Sequence, residues 1–164
     1  MKKLFLLSAL VLLSSVLAHA QVTFDNLLLS PYQTRIDVVT KNGQLYLHLL
    51  HRDPSARLAT QPRILFQMGD NSVLDLEGTL TRSERILTSS KVQGGVTEMT
   101  YLFECEAIFP ITHAQMETFR HGVLKVRQCT VPDFQERVWK KDKIGAGLYK
   151  LYQEAGEDSF KKGF

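Results

Sequence analysis

The chain has 164 residues, 44 % of them apolar and 23 % charged, with 20 Lys and Arg against 17 Asp and Glu for a formal charge of +3. That length is enough for one domain with its own core, and two cysteines exclude a disulfide-dense scaffold. The basic residues are too dispersed to form the concentrated face that binding a nucleic-acid backbone requires.

At the start, Lys2 and Lys3 precede an apolar run from Leu4 to Leu17, and Ala18-His19-Ala20 is an A-x-A cleavage pattern. Residues 1–20 are therefore expected to be a secretory signal peptide. The run is shorter than the roughly 20 residues a transmembrane helix needs. No cysteine follows it to accept a lipid anchor. Cleavage would leave residues 21–164 as a single globular α+β domain. Removing the two lysines of the leader leaves 18 basic against 17 acidic residues, so the basicity resides largely in the leader. The expected address is the periplasm or the extracellular space of a bacterium, with no transmembrane segment after cleavage.

Beyond the leader, Thr34–Val39 and Gln44–Leu50 flank Lys41-Asn42-Gly43. Asn-Gly supplies the positive φ angles of a tight hairpin, and Leu45, Leu47 and Leu49 alternate onto one face. A polar loop from Arg52 to Pro62 follows. Arg63–Gln67 and Val73–Thr81 then form a second hairpin around Gly69-Asp70-Asn71-Ser72, with Leu74, Leu76 and Leu80 inward and Gly78 marking a bulge. The stretch from Arg82 to Gly95 has no clear period and is expected to be a loop or frayed edge. Thr97–Phe109 alternates best, with Met99, Tyr101, Phe103, Cys105, Ala107 and Phe109 on one face and Thr100, Glu104 and Glu106 on the other.

Pro110 ends that strand. Thr112 and Gln115 form a capping box, Ile111 and Met116 a hydrophobic staple, and a short helix runs to about His121 with Gly122 as terminator. Val123–Val131 is the next strand, parallel to the previous one if both share a sheet. From Pro132 onward the pattern is helical, with segments Phe134–Lys141 and Ile144–Ala155. Ile144, Leu148, Leu151 and Ala155 recur as one stripe, and Gly145 and Gly147 mark a joint. The last eight or so residues are expected to fray. The fold expected is α+β: a mainly antiparallel sheet of about six strands, with one short helix and a C-terminal helical segment packed on one face.

No constellation carries a recognisable chemistry. His48 and His51 are three apart on a strand and point to opposite faces, so they cannot share a metal ion. The acidic turn at Asp70 lacks the glycine and glutamate positions of a calcium loop. Gly145-Ala146-Gly147 has no preceding strand to aim amides at a dinucleotide. No metal and no cofactor is expected. Glu104 and Glu106, two apart on a strand, share a face at a spacing that could serve acid–base chemistry on a glycoside. The competing expectation pairs them with Lys125 and Arg127 across neighbouring strands. Cys105 and Cys129 fall on opposite sides by parity, which argues against a disulfide between them. Tyr149 and Tyr152, three apart on the last helix, are the candidate ligand-binding aromatics.

The functional expectation is a non-enzymatic envelope or secreted interaction module, meeting a protein or glycan partner by a sheet face or edge. The alternatives are a small hydrolase using Glu104 or Glu106 as catalytic carboxylate, and a structural component of the envelope.

Overall fold

The computed structural model describes residues 22–25 and 33–161, so the expected signal peptide lies outside the described residues. The chain is mainly antiparallel sheet with two short helices. The first strands are β1 (Val22–Asp25), β2 (Gln33–Lys41), β3 (Gln44–Asp53) and β4 (Arg57–Leu58). Next come β5 (Arg63–Met68), β6 (Val73–Glu77), β7 (Thr79–Gln93) and β8 (Val96–Ile111). Helix α1 (His113–Glu117) leads through a 3₁₀ turn to β9 (Val123–Gln128), β10 (Thr130–Val131), β11 (Gln135–Val138) and helix α2 (Gly145–Lys161).

Among the described residues the strands form three sheets, ordered β1-β2-β3-β8-β7, β11-β9-β5-β6 and β10-β4. The expectation of one sheet of about six strands is thereby replaced. Every pairing is antiparallel. β8 and β9 belong to different sheets, so the parallel relation conditional on a shared sheet does not arise. The two hairpins are where the turn chemistry puts them. Asn42 and Gly43 take φ values of 52° and 76°, the positive pair that a two-residue turn demands.

Gly78 is the single residue between β6 in one large sheet and β7 in the other. A Cβ there would stand 2.6 Å from the Phe109 ring and 2.7 Å from the Ile108 carbonyl oxygen. Only glycine lets the chain cross between sheets this close to the core.

That core is one cluster fed by both large sheets. β3 contributes Leu45, Leu47 and Leu49, β8 contributes Ala107, Phe109 and Ile111, and β5 contributes Ile64, Phe66 and Met68. Phe119 of the 3₁₀ turn meets Phe66 edge to face at 5.1 Å. Leu148 and Leu151 bury the inner stripe of α2, continued by Ile144 just before the helix, and α2 packs against β2 and the 3₁₀ turn. The capping box at Thr112 forms as expected, although the α-helix it opens has only five residues before the 3₁₀ turn takes over.

Three segments depart from the sequence pattern. Arg82–Gln93 is neither a loop nor frayed: it is most of β7, a 15-residue edge strand paired along β8, with Gly94 and Gly95 as the turn that follows. Its side chains are exposed on both faces over most of its length, so it has no amphipathic period to read. Phe134–Lys141 is not helical: Gln135–Val138 is an edge strand on β9, with Glu136 directly opposite Arg127. Gly145 does not mark a joint between helices but opens α2. A Cβ there would lie 2.8 Å from both Gly122 Cα and Val123 N. The helix start is held by Asp142, whose Oδ1 accepts from the backbone N–H groups of Val123, Ile144 and Gly145, and whose Oδ2 accepts from Ala146. Burial alone would raise the Asp142 pKa, but these donors hold it below its ordinary value.

Candidate functional site

Glu104 and Glu106 stand on the outer face of the five-stranded sheet, and their cations come from β3 and β7, not from β9. Arg52 lies directly opposite Glu104, and its Nε donates to Glu104 Oε2 at 2.6 Å. Arg82 engages the other oxygen of Glu104 and lies 3.4 Å from Glu106, while His48 Nε2 is 3.6 Å from Glu106. Both Glu104 oxygens therefore already face guanidinium groups. A glycosidic oxygen could reach this carboxylate only by displacing an arginine. Lys125 and Arg127 instead share Glu136, which Arg127 meets at 2.6 Å and Lys125 at 3.5 Å. The pairing expected between Glu104 or Glu106 and Lys125 or Arg127 does not form; each set finds its partners within its own sheet, because α1 carries the chain from one sheet to the other between β8 and β9.

A second polar group, absent from the sequence expectations, lies between the sheets. Thr34 on β2 and His51 on β3 are fully buried, with Asp53 and Gln128 nearly so. Asp53 Oδ1 accepts from the Ser55 amide and hydroxyl and from the Ala56 amide; its Oδ2 accepts from Gln135 Nε2 at 2.9 Å. That donation orients the Gln135 amide with Oε1 towards Gln128 Nε2, 2.9 Å away. Gln128 Nε2 also donates to His51 Nδ1 at 3.0 Å, so Nδ1 is the accepting nitrogen. His51 Nε2 carries the hydrogen, which it donates to the Ala56 carbonyl at 3.2 Å.

The donations therefore diverge from Gln128, through Gln135 to Asp53 on one side and through His51 to the Ala56 carbonyl on the other, and together they tie β2 and β3 to β9 and β11. Burial pushes the His51 pKa below its ordinary value, against the opposing pull of the Ala56 carbonyl and Asp53. Burial would raise Asp53, but the donors from Ser55, Gln135 and Ala56 prevail and hold it low. One signal for this group was present in the sequence: His51 and Asp53 continue the alternation of Leu45, Leu47 and Leu49.

Tyr149 and Tyr152 lie side by side on α2 with ring centroids 6.0 Å apart. Each hydroxyl has a partner within the domain, Glu117 at 3.4 Å for Tyr149 and His113 Nδ1 at 3.0 Å for Tyr152. Arg120 lies over the Tyr149 ring at 5.6 Å. The pair docks α2 on α1, and both residues remain half-buried. Cys105 and Cys129 are both free thiols, Cys105 buried beside Ser83 at 3.5 Å. His48 and His51 occupy opposite faces, as parity requires. Among the described residues no group of three His, Cys, Asp or Glu side chains gathers as metal ligands. No helix among them is long and apolar enough to cross a membrane.

The remaining feature is a projection. β8 pairs with β3 from Phe103 to Ile111, so among the described residues Val96–Leu102 has β7 as its sole neighbouring strand and the two continue as a two-stranded ribbon of about 20 Å. Gly94 and Gly95, with φ of 59° and 79°, close its tip. Leu87 is 52 % exposed, Val92 75 %, Val96 64 % and Met99 54 %, against 0–1 % for the alternate residues Cys105 to Ile111 at the other end of β8. Arg85 covers the Tyr101 ring at 4.2 Å, and the Tyr101 hydroxyl lies 3.1 Å from Met99 Sδ. No protein family, curated protein or solved structure matches this chain.

Proposed function

We propose that this chain is an exported, non-enzymatic interaction module that engages a protein partner through the β7–β8 ribbon. The observation that carries the reading is the ribbon itself. A two-stranded ribbon is marginally stable alone in water, yet this one extends from a well-packed domain with four large apolar side chains exposed along it. Clustered exposed apolar residues beside an open strand edge are the features of a surface built to be covered. A protein fits better than a glycan, because backbone N–H and C=O groups along a strand edge are matched by another strand. Export is supported by the charged, apolar and A-x-A sequence of residues 1–20.

A photo-crosslinking residue at Val92 or Met99, introduced in the native cell, tests the reading. Both positions are expected to yield the same discrete protein adduct. The same probe at Val138, equally exposed on the far edge of the other sheet, should yield none. Equal labelling at all three positions would remove the ribbon as the binding surface.

A further inference from the structure

Resting on the reading of the ribbon as a binding surface, we infer that its partner is a second copy of this chain, joined edge to edge along β7. β7 is the last strand of its sheet, so one of its edges has no neighbouring strand among the described residues. The register of that strand shifts at two places, between Leu80 and Arg82 and again between Leu87 and Ser89, and the second bears on the pairing. Leu87 lies opposite Tyr101 and Ser89 opposite Thr100, so Thr88 is an extra residue, a bulge that reverses the alternation beyond it. Glu84, opposite Glu104, and Lys91, opposite Glu98, are seven positions apart. In a regular strand they would point to opposite faces. Here Glu98 and Glu104 share a face of β8, and the bulge therefore places Glu84 and Lys91 on one face as well.

Two copies of β7 related by a two-fold axis beside Leu87 and Thr88 would run antiparallel with Glu84 of each opposite Lys91 of the other. In the same register Arg82 meets Gln93, Arg85 meets Ser90 and Ile86 meets Ser89. Each of these pairs lies on a common face because of the bulge. Centring the pairing on Arg85 or on Lys91 would instead set like charges against each other, which is unfavourable across strands.

The charges within one copy ask for this complement. Glu84 faces Glu104 directly, and among the described residues the ion pairs of Glu104 and Glu106 with permanently charged groups are to Arg52 and Arg82. Neither Glu84 nor Lys91 has an ion-pair partner within 4 Å among the described residues. A second copy supplies Lys91 to the open side of Glu84, twice, by symmetry. The pairing would also turn two marginal two-stranded ribbons into one four-stranded sheet, setting Leu87, Val92, Met99 and Tyr101 of both copies side by side.

Sedimentation of the protein purified from its native host, over concentrations up to about 100 μM, reads the association directly. The wild type is expected to form a dimer. Lys91→Glu and Glu84→Lys should each weaken it by about tenfold, since each replaces two attractive pairs by repulsive ones. The double variant Glu84→Lys with Lys91→Glu should recover most of the affinity, and circular dichroism of each single variant should match that of the wild type. A wild type that stays monomeric throughout, or a dimer indifferent to all three variants, overturns the inference. If that monomer still crosslinks from Val92 and Met99 to a different protein, the second copy is wrong and the ribbon stands. If it crosslinks to nothing, both readings fall.

Discussion

The two halves of β8 have the same covalent plan and opposite surroundings. From Phe103 to Ile108 the strand lies between β3 and β7 and it continues along β3 to Ile111, and Cys105, Ala107, Phe109 and Ile111 are all but inaccessible. From Val96 to Leu102 the same alternation continues with β7 the one strand beside it among the described residues; Met99, on the face of Cys105, is 54 % exposed, and Val96, on the other face, 64 %. Alternation decides which residues share a face; a second layer of structure decides whether that face is covered. The proximal half has that layer in β5, β6 and β9, whereas the ribbon has passed beyond it. Burying a phenylalanine contributes about 1.5–3 kcal/mol, a gain unavailable to Leu87 or Met99 in the isolated chain. The domain is thus stabilised at one end of the strand and left open at the other.

The sharpest way to separate the halves is to truncate one apolar residue in each. Phe109→Ala removes a ring buried against Gly78 and should cost about 3–5 kcal/mol in urea unfolding. At the distal end, Met99→Ala should change stability by no more than about 0.5 kcal/mol when measured on dilute protein. A loss at Met99 approaching that at Phe109 would mean that the ribbon face is covered within a single copy, and the contrast would collapse.

Between these extremes lies the polar seam, the other element joining the proximal sheets. Burial holds the folded-state pKa of His51 below its ordinary 6.5, so on acidification the unfolded chain takes up a proton first. The stability associated with His51 is full above about pH 6.5 and is lost as the pH falls below it. Asp53 and Asp142, held below their ordinary 3.8, keep their contributions down to about pH 4 and lose them beneath it. His51→Gln should cost about 1–3 kcal/mol at pH 8 through the partners it leaves unmet. It should also flatten the unfolding midpoint between pH 7 and pH 5, where the wild type declines. A wild type as stable at pH 5 as at pH 8 would show that the seam accommodates the imidazolium.

Legibility in the sequence followed local chemistry. The Asn42-Gly43 turn, the Thr112 capping box and the inward leucines of β3 were all readable, because each depends on neighbours within a few residues. β7 was not readable, since a strand exposed on both faces over most of its length has no period. β11 was hidden for a related reason: four residues on a sheet edge, three half-covered and one exposed, carry too little pattern to oppose the helical continuation towards Ile144. At Glu104 and Glu106 the residue type and shared face were legible, but their partners were not. Which cation meets a carboxylate depends on strand order, and α1 takes the chain to the other sheet before β9 begins. His51 was set aside as a metal ligand by its parity with His48, although that same parity places it in the core.

Composition and alternation alone determined that this is a mainly antiparallel α+β chain, and which side chains stand together on each strand. Turn residues and caps determined where several of its strands and the first helix begin. Only the tertiary structure decided that the strands divide between two packed sheets, that Arg52 and Arg82 meet Glu104, and that β7 and β8 extend past the core. These are matters of which distant segments become neighbours. The free energy that selects them comes from burying faces against each other, and a face does not record in its own sequence what will cover it.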